Sequence, residues 1–431
     1  MTKTSIQLLR GADTIGGTCV RIMYGDDSIL LDYGKPLMAS GGLEISSEAV
    51  NAPTLDNGIL LDLLGAGKPP LAMLISHAHP DHYGLIDFAI KDMPVYMNLL
   101  SKELIKVGNI FYTDAMRVAH IDEVKTFEVC QSFTIGPFSI VAYPMDHSAF
   151  GACSLLISVG GKRIFYTGDF RGHGRRNGGL TPEMIGSLND CDVMLMEGTT
   201  LGEGHPDVYA SEKAVENAVV DICKLDNAPI MVAGSGSNVD RILSLYDAAK
   251  RTGREMVIDL YQLYLLEQLA KYDPNIPPLA DDHLRVYYPR TQAQTIVKFV
   301  GKAWLYKHKK RQIRLDDIDT VNGRYIFRLS NFYSKRISGL YMKSEIQPKL
   351  VYSMWKGYMD QQDSFADIAD MVGSDWEYVH TSGHAYLSHL KELAAAIAPK
   401  NLIPMHTLYG DSFPEHFDNV RIVSNDGVFA L

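Results

Sequence analysis

The sequence predicts an α/β protein of two domains, and three observations carry the prediction. At 431 residues the chain exceeds one typical domain. Residues 1–205 alternate short apolar runs with Gly/Asp turns, the pattern of strands joined by tight connections. Residues 206–370 change to helical spacing broken by short β-type runs.

The elements follow in order. Ser28 to Leu31, Leu71 to Ile75 and Arg163 to Tyr166 are runs of strand length. Gly16-Gly17-Thr18 and Gly160-Gly161 read as strand connections. Leu99 to Val107 and Thr181 to Leu188 read as helices. Residues 38–70 form a long Gly/Ser/Asn-containing segment, a lid or an insertion. Beyond it, Ser211 to Leu225 and Asn238 to Arg251 have helical spacing, and Val257 to Leu260 and Arg324 to Leu329 read as strands. Tyr386 to Ile397 reads as an amphipathic helix. The chain has no internal repeat and no low-complexity tract.

Composition narrows the class. A hydrophobic fraction of 46% with 21% charged residues fits a soluble globular protein. No apolar run approaches the length that crosses a bilayer, and Met1 to Ser5 leads into Ile6 without a signal-peptide pattern, so no membrane and a cytoplasmic location are expected. Cys19, Cys130, Cys153, Cys191 and Cys223 are odd in number and show no CxxC spacing, so they read as reduced and mostly buried. The net charge is −10, but it is unevenly spread: Arg285 to Asp360 holds sixteen Lys/Arg against five Asp/Glu. In its densest stretch, Lys302 to Arg311, Trp304 and Tyr306 interleave with the bases. That reads either as a surface for a single-stranded polyanion or as a solvated helix face with Trp304 in the core. Arg324, Arg328, Lys335 and Arg336 extend the asymmetry.

The chemistry concentrates in His77-Ala78-His79-Pro80-Asp81-His82, directly after the run Leu71 to Ile75. Imidazole nitrogen and carboxylate oxygen are ligands for zinc and other first-row divalent metals. In extended chain His77 and His79 point the same way, and Asp81 and His82, one turn further on, can face a second centre. Two metals a few ångströms apart suit hydrolysis.

These residues resemble the opening ligand motif of the metallo-β-lactamase superfamily, and further matches recur in family order. Asp32, in Leu30-Leu31-Asp32-Tyr33-Gly34, is similar to the aspartate that supports the first histidines. His147, in Met145-Asp146-His147-Ser148, and Asp169, in Tyr166-Thr167-Gly168-Asp169-Phe170, are similar to the third and fourth motifs. Glu197, the His384 of His380-Thr381-Ser382-Gly383-His384-Ala385, and the His406 that follows Pro399 to Met405 resemble motifs A, B and C of the β-CASP branch. That branch contains the ribonuclease J-like RNA-processing nucleases. Two stretches depart from its usual pattern: Gly198-Thr199-Thr200 after Glu197, and Thr407-Leu408-Tyr409-Gly410 after His406.

The resemblance implies an αββα sandwich with an inserted β-CASP α/β domain: residues 1–205 and 371–431 form the sandwich and 206–370 the insertion. It implies two zinc ions, with manganese or magnesium as alternatives. His77, His79, His147 and Asp169 would hold one; Asp81, His82, Asp169 and His406 would hold the other. Asp32 orients a ligand histidine, His384 protonates the leaving oxygen, and Glu197 fixes its tautomer, so Asp32, Asp81, Glu197 and His384 form the catalytic set. His380, Ser382 and Gly383, joined by Ser235, Ser237 and Asn238, would contact substrate phosphate, although a helix N-cap is a rival reading of Asn238. His173 is read either as a loop histidine or as lying on the substrate side or behind the ligands. The implied activity is metal-dependent hydrolysis of single-stranded RNA, from the 5′ end, internally or both. The alternatives are a DNA nuclease of the same fold and a small-molecule ester or thioester hydrolase, and a homodimer stays open.

Overall fold

The computed structural model describes residues 2–39, 64, 68–89, 93–113, 117–175, 179–202, 209–225, 227–274, 276, 282–320, 322–330, 333–342, 344, 346–358 and 376–431. Most of the 38–70 segment lies outside them. The chain forms two compact units. One comprises Met1–Ile105, Val118–His205 and Gly383–Leu431; the other comprises Lys106–Arg117 and Pro206–Ser382. The first unit thus resumes at Gly383, whereas the sequence reading put its return at 371.

The first unit is built on two sheets. A seven-stranded sheet runs Val428–Ala430, Thr4–Arg10, Cys19–Tyr24, Asp27–Leu31, Met73–Ile75, Val95–Asn98 and Lys125–Phe127. A six-stranded sheet runs Leu402–Met405, Val193–Glu197, Lys162–Tyr166, Cys153–Val159, Phe138–Pro144 and Ser132–Ile135. One apolar core joins them, with Ile6, Val20, Leu31 and Leu74 from the first sheet and Ile140, Leu155, Ile164 and Ile403 from the second. The other face of the six-stranded sheet packs Phe165, Met194 and Met196 against Leu390, Leu393 and Ile397 of helix Leu387–Ile397. Strands such as Val193–Glu197, buried on both faces, read as continuous apolar runs. The Gly160-Gly161 turn joins antiparallel strands in the expected register, with Val159 opposite Lys162.

The second unit holds one all-parallel sheet of seven strands in the order Gln312–Ile313, Leu284–Tyr287, Glu255–Ile258, Tyr325–Leu329, Ile230–Ala233, Lys349–Tyr352 and Trp376–Tyr378. Helix Val239–Arg251 follows the strand Ile230–Ala233 and starts where the Asn238 side chain accepts from Arg241 N at 3.1 Å. Inside this unit Arg241 grips Glu212 through two bonds of 3.0 Å, from Nε and Nη2. The strand expected over Val257 to Leu260 runs instead from Glu255 to Ile258. Asp259 ends it by accepting from Gln262 N at 3.0 Å, which caps helix Leu260–Leu269. That helix buries Leu260, Tyr261, Leu263, Leu265, Leu266 and Leu269, so its apolar residues run all round and show no helical stripe.

Candidate metal centre

The site residues leave the C-terminal ends of parallel strands, where α/β sheets expose functional groups. Asp27–Leu31 ends at Asp32, Met73–Ile75 at Ser76-His77, and Lys162–Tyr166 three residues before Asp169. Val193–Glu197 ends on Glu197 itself and Leu402–Met405 at His406. Pro80 starts a single helical turn, Pro80–Tyr83, that carries Asp81 and His82. The loop 33–35 braces this turn through Tyr33 N to His82 O at 2.8 Å and Lys35 N to Pro80 O at 2.9 Å. The approach requires Gly34, because a Cβ there would sit 1.5 Å from the Asp81 carbonyl oxygen.

Three groups of side chains converge. His77, His79, His147 and Asp169 form one; Asp81, His82, Asp169 and His406 a second; Asp169, Glu197, His384 and His406 a third. Within each group one ligand atom per residue lies within 4.8 Å of the others, and Asp169 belongs to all three.

Hydrogen bonds behind these residues fix the tautomers. Asp32 is fully buried and accepts from Ser76 N at 2.7 Å, Ser76 Oγ at 2.8 Å, Tyr166 OH at 2.6 Å and His82 Nδ1 at 2.7 Å. The Ser76 hydroxyl gives its proton to Asp32, so it accepts from His77 Nδ1 at 3.0 Å. His147 Nδ1 donates to Gly383 O at 2.6 Å. Thr199 Oγ1 donates to Glu197 Oε2 at 2.7 Å and accepts from His406 Nδ1 at 2.8 Å. Each of these histidines turns Nε2 inward as its candidate ligand nitrogen; at His82 burial lowers the imidazole but Asp169, Asp81 and Asp32 outweigh it and lift it well above the usual range, so this Nε2 holds a proton that a bound ion would displace. Glu197 also accepts from Phe170 N at 2.8 Å and from His384 Nδ1 at 3.1 Å.

The donor set fits cations. His77 Nε2, His82 Nε2 and both Asp169 oxygens are buried without a directed hydrogen bond among the described residues. Yet Asp169 Oδ2 stands 3.1 Å from His82 Nε2 and 3.6 Å from His77 Nε2. His79 Nδ1 and His147 Nε2 face each other at 2.9 Å, two ring nitrogens that must share a proton or a cation. Buried polar atoms left this way are costly, and metal coordination satisfies them.

Electrostatics divide the set. Burial holds His77 and His147 well below the usual imidazole range and His79 at about 4, so these three are neutral and ready to ligate. Burial raises Asp81 and Asp169, but neighbouring imidazoles outweigh it. His82 and His406 bring Asp81 to about 2, and His406, His82 and His384 hold Asp169 well below the carboxylate range. Burial lowers His384, yet Glu197 and Asp169 prevail and lift it to about 9. Asp32 and His406 have φ of 58° and 49°, left-handed values for non-glycine residues. Such backbone costs about 1–3 kcal/mol each and gathers at functional sites.

The remaining candidates lie differently. Gly383, read as a backbone N–H donor on the phosphate side, accepts from His147 Nδ1 at its carbonyl, a group separate from that N–H. His380, Ser382, Ser235, Ser237 and Asn238 belong to the second unit. There His380 Nδ1 meets Arg241 Nη1 at 3.4 Å, and Ser235 and Ser237 share a bond of 3.1 Å. Asn238 follows its rival reading and caps a helix. His173 is buried, with its ring stacked on Tyr386 at 4.4 Å. Three contributors were missed in the sequence: Thr199, Asp146 and Arg171. Arg171 Nε donates to Asp146 Oδ1 at 3.2 Å and Gly174 N to Asp146 Oδ2 at 2.7 Å, bracing the loops of His147 and Asp169 together. The adjacency of Asp146 to His147 and of Arg171 to Asp169 was the available signal.

The family described as the β-lactamase superfamily domain matches residues 63–223. Ribonuclease J of Mycolicibacterium smegmatis is 25% identical over 358 residues, covering 78% of this chain and 58% of that protein. Ribonuclease J 1 of Streptococcus pyogenes is 22% identical over 415 residues, 93% of this chain and 68% of that one. Endoribonuclease YSH1 of Gibberella zeae is 22% identical over 343 residues, 73% and 39% respectively. The chain thus spans little more than half the length of the first ribonuclease J relatives, at 58% and 57%. A crystal structure of a protein of unknown function from Enterococcus faecalis shares the fold, with a TM-score of 0.76, 21% identity and full coverage of both chains (100%).

Proposed function

Because the chain carries a metallo-β-lactamase-type domain and resembles the β-CASP nucleases of the ribonuclease J kind, we propose that it hydrolyses phosphodiester bonds in RNA with two divalent metal ions. The observation that carries this reading is the pair of four-residue donor sets sharing Asp169, with buried nitrogens and oxygens turned on one another.

His77, His79, His147 and Asp169 would hold one ion; Asp81, His82, Asp169 and His406 the other. When bound, such ions supply Lewis acidity and a nucleophilic hydroxide at neutral pH. Asp32 holds His82 with Nε2 inward, and Thr199 does the same for His406. His384 is suited to the proton-transfer role. Glu197 engages Nδ1, the imidazole keeps its proton to about 9, and 22% of the side chain is open to solvent. Its Nε2–H can then protonate the leaving oxygen as the phosphorus–oxygen bond breaks. Zinc suits the imidazole-rich set, and manganese or magnesium the carboxylates.

The test is a time course on matched end-labelled, 5′-monophosphorylated RNA and DNA oligonucleotides, with zinc or manganese and an Asp81→Ala control. RNA cleavage that vanishes in the control is expected, and the ladder reads whether cuts start at the 5′ end. Cleavage of DNA alone, or of neither with both ions confirmed bound, overturns the reading.

A further inference from the structure

We propose that the second unit carries a docking surface for a single-stranded polynucleotide, formed by helices Arg290–Phe299 and Lys302–Lys307 and the turn Lys309–Arg311. None of its residues belongs to the candidate metal centre. The choice of RNA as the strand rests on the hydrolase reading above.

The first of these helices buries only Gln292 and Ile296. Its end leaves Val297 and Phe299 45% and 48% exposed, and Tyr306 of the next helix is 59% exposed. Gly301, at φ +117°, makes the turn between the two. The exposure is not slack folding, because Trp304 pins the second helix. Its indole nitrogen donates to Glu267, its ring meets Tyr264 edge-on at 5.4 Å, and Lys307 binds the same Glu267 carboxylate. Trp304 is therefore an anchor, and the rings left for a partner are Phe299 and Tyr306.

Cations frame both rings. Lys298 Nζ lies 4.7 Å and Arg117 Cζ 5.5 Å from the Phe299 centroid, and Lys302 Nζ 5.7 Å from that of Tyr306. Lys298, Lys302, Lys309, Lys310 and Arg311 have no carboxylate partner among the described residues. A chain of net charge −10 that keeps five bases without a carboxylate partner among the described residues, around two half-exposed rings, is complementary to a polyanion with stacking faces. Phosphates meet the bases, and unpaired nucleobases meet the rings. An acidic protein would use the charges but leave the rings uncovered, and a duplex has its faces already stacked.

The test uses the full chain. Binding of a fluorescein-labelled 20-nucleotide RNA is measured by anisotropy in an Asp81→Ala host, with and without Phe299→Ala/Tyr306→Ala or Lys309→Glu/Lys310→Glu. Loss of stacking should weaken binding about tenfold or more. The charge reversals should lower the slope of log affinity against log salt by about 1.4, since each single-strand phosphate contact contributes roughly 0.7. Cleavage of a dinucleotide by the chain with Asp81 intact should be unchanged by either pair. Affinity within twofold of the parent for both pairs overturns the surface, while RNA cleavage by the parent would still uphold the hydrolase reading. Equal losses on a duplex of the same length overturn the single-strand assignment. Ring-dependent binding by a metal-loaded parent that cleaves no RNA upholds the surface and overturns the hydrolase reading instead.

Discussion

Replacing Thr199 by valine removes one hydroxyl at nearly constant volume and takes its two shortest hydrogen bonds with it, together with a longer contact to His406 O at 3.2 Å. One is the 2.8 Å bond that fixes His406 Nδ1, the other the 2.7 Å bond to Glu197 Oε2. Glu197 keeps Phe170 N at 2.8 Å and His384 at 3.1 Å, so its position survives. His406, only 2% exposed, has no such reserve in its Nδ1 partner. A hydrogen bond to a charged or metal-facing group is worth about 1.5–3 kcal/mol. That corresponds to roughly 10–100-fold in an equilibrium constant, the range seen when partners of ligand histidines are removed. The affinity for the ion facing Asp81, His82 and His406 should therefore fall about 10–100-fold. The ion facing His77, His79 and His147 should keep its own. Titration with zinc against a competing chelator separates the two steps, and Thr199→Ser should restore the weaker one. Equal weakening of both ions, or two unchanged affinities in the valine variant, would refute the reasoning.

Two further outcomes are expected. Arg171→Met breaks the ion pair to Asp146, which is 2% exposed beside His147 and keeps its bond from Gly174 N; breaking such a buried pair costs about 3–5 kcal/mol, so the urea midpoint should drop, and an unchanged midpoint would show that other contacts hold Asp146. His384 sits at about 9, above its ordinary value, so its proton is present at neutral pH and lost as pH rises through that value. The basic limb of the kcat/KM profile should fall there, and Glu197→Gln, which removes a raising influence, should move the limb to lower pH; an unmoved limb would exclude His384 as the proton donor.

Of the residues that converge, His77 to His82 were legible from their local spacing, while His147, Glu197, His384 and His406 were legible through the motifs they resemble. Six consecutive positions carry His77 to His82, and the ends of apolar runs announce Asp32 and Asp169. The supporting partners were not legible, since each pairs positions far apart in sequence. Thr199 meets His406 across 207 residues and Gly383 meets His147 across 236. Helix Leu260–Leu269 escaped for another reason: buried on nearly every side, it carries neither a polar face nor a strand's alternation. Trp304 could be weighed as a stacking ring or a core residue from sequence, and only the position of Glu267 decides for the anchor.

The first unit is discontinuous, with His384 and His406 on its last segment, after the whole of the second unit. A ribosome must therefore synthesise the Pro206–Ser382 part of the second unit between delivering Asp169 and delivering His406. At about 5–20 residues per second the interval is on the order of ten seconds or more. Throughout it the nascent chain, still tethered to its own messenger, has its early histidines but not the second ion's final ligand. On the proposed RNA-hydrolysing activity, this order of synthesis would withhold the completed centre from the transcript being read until translation has passed His406.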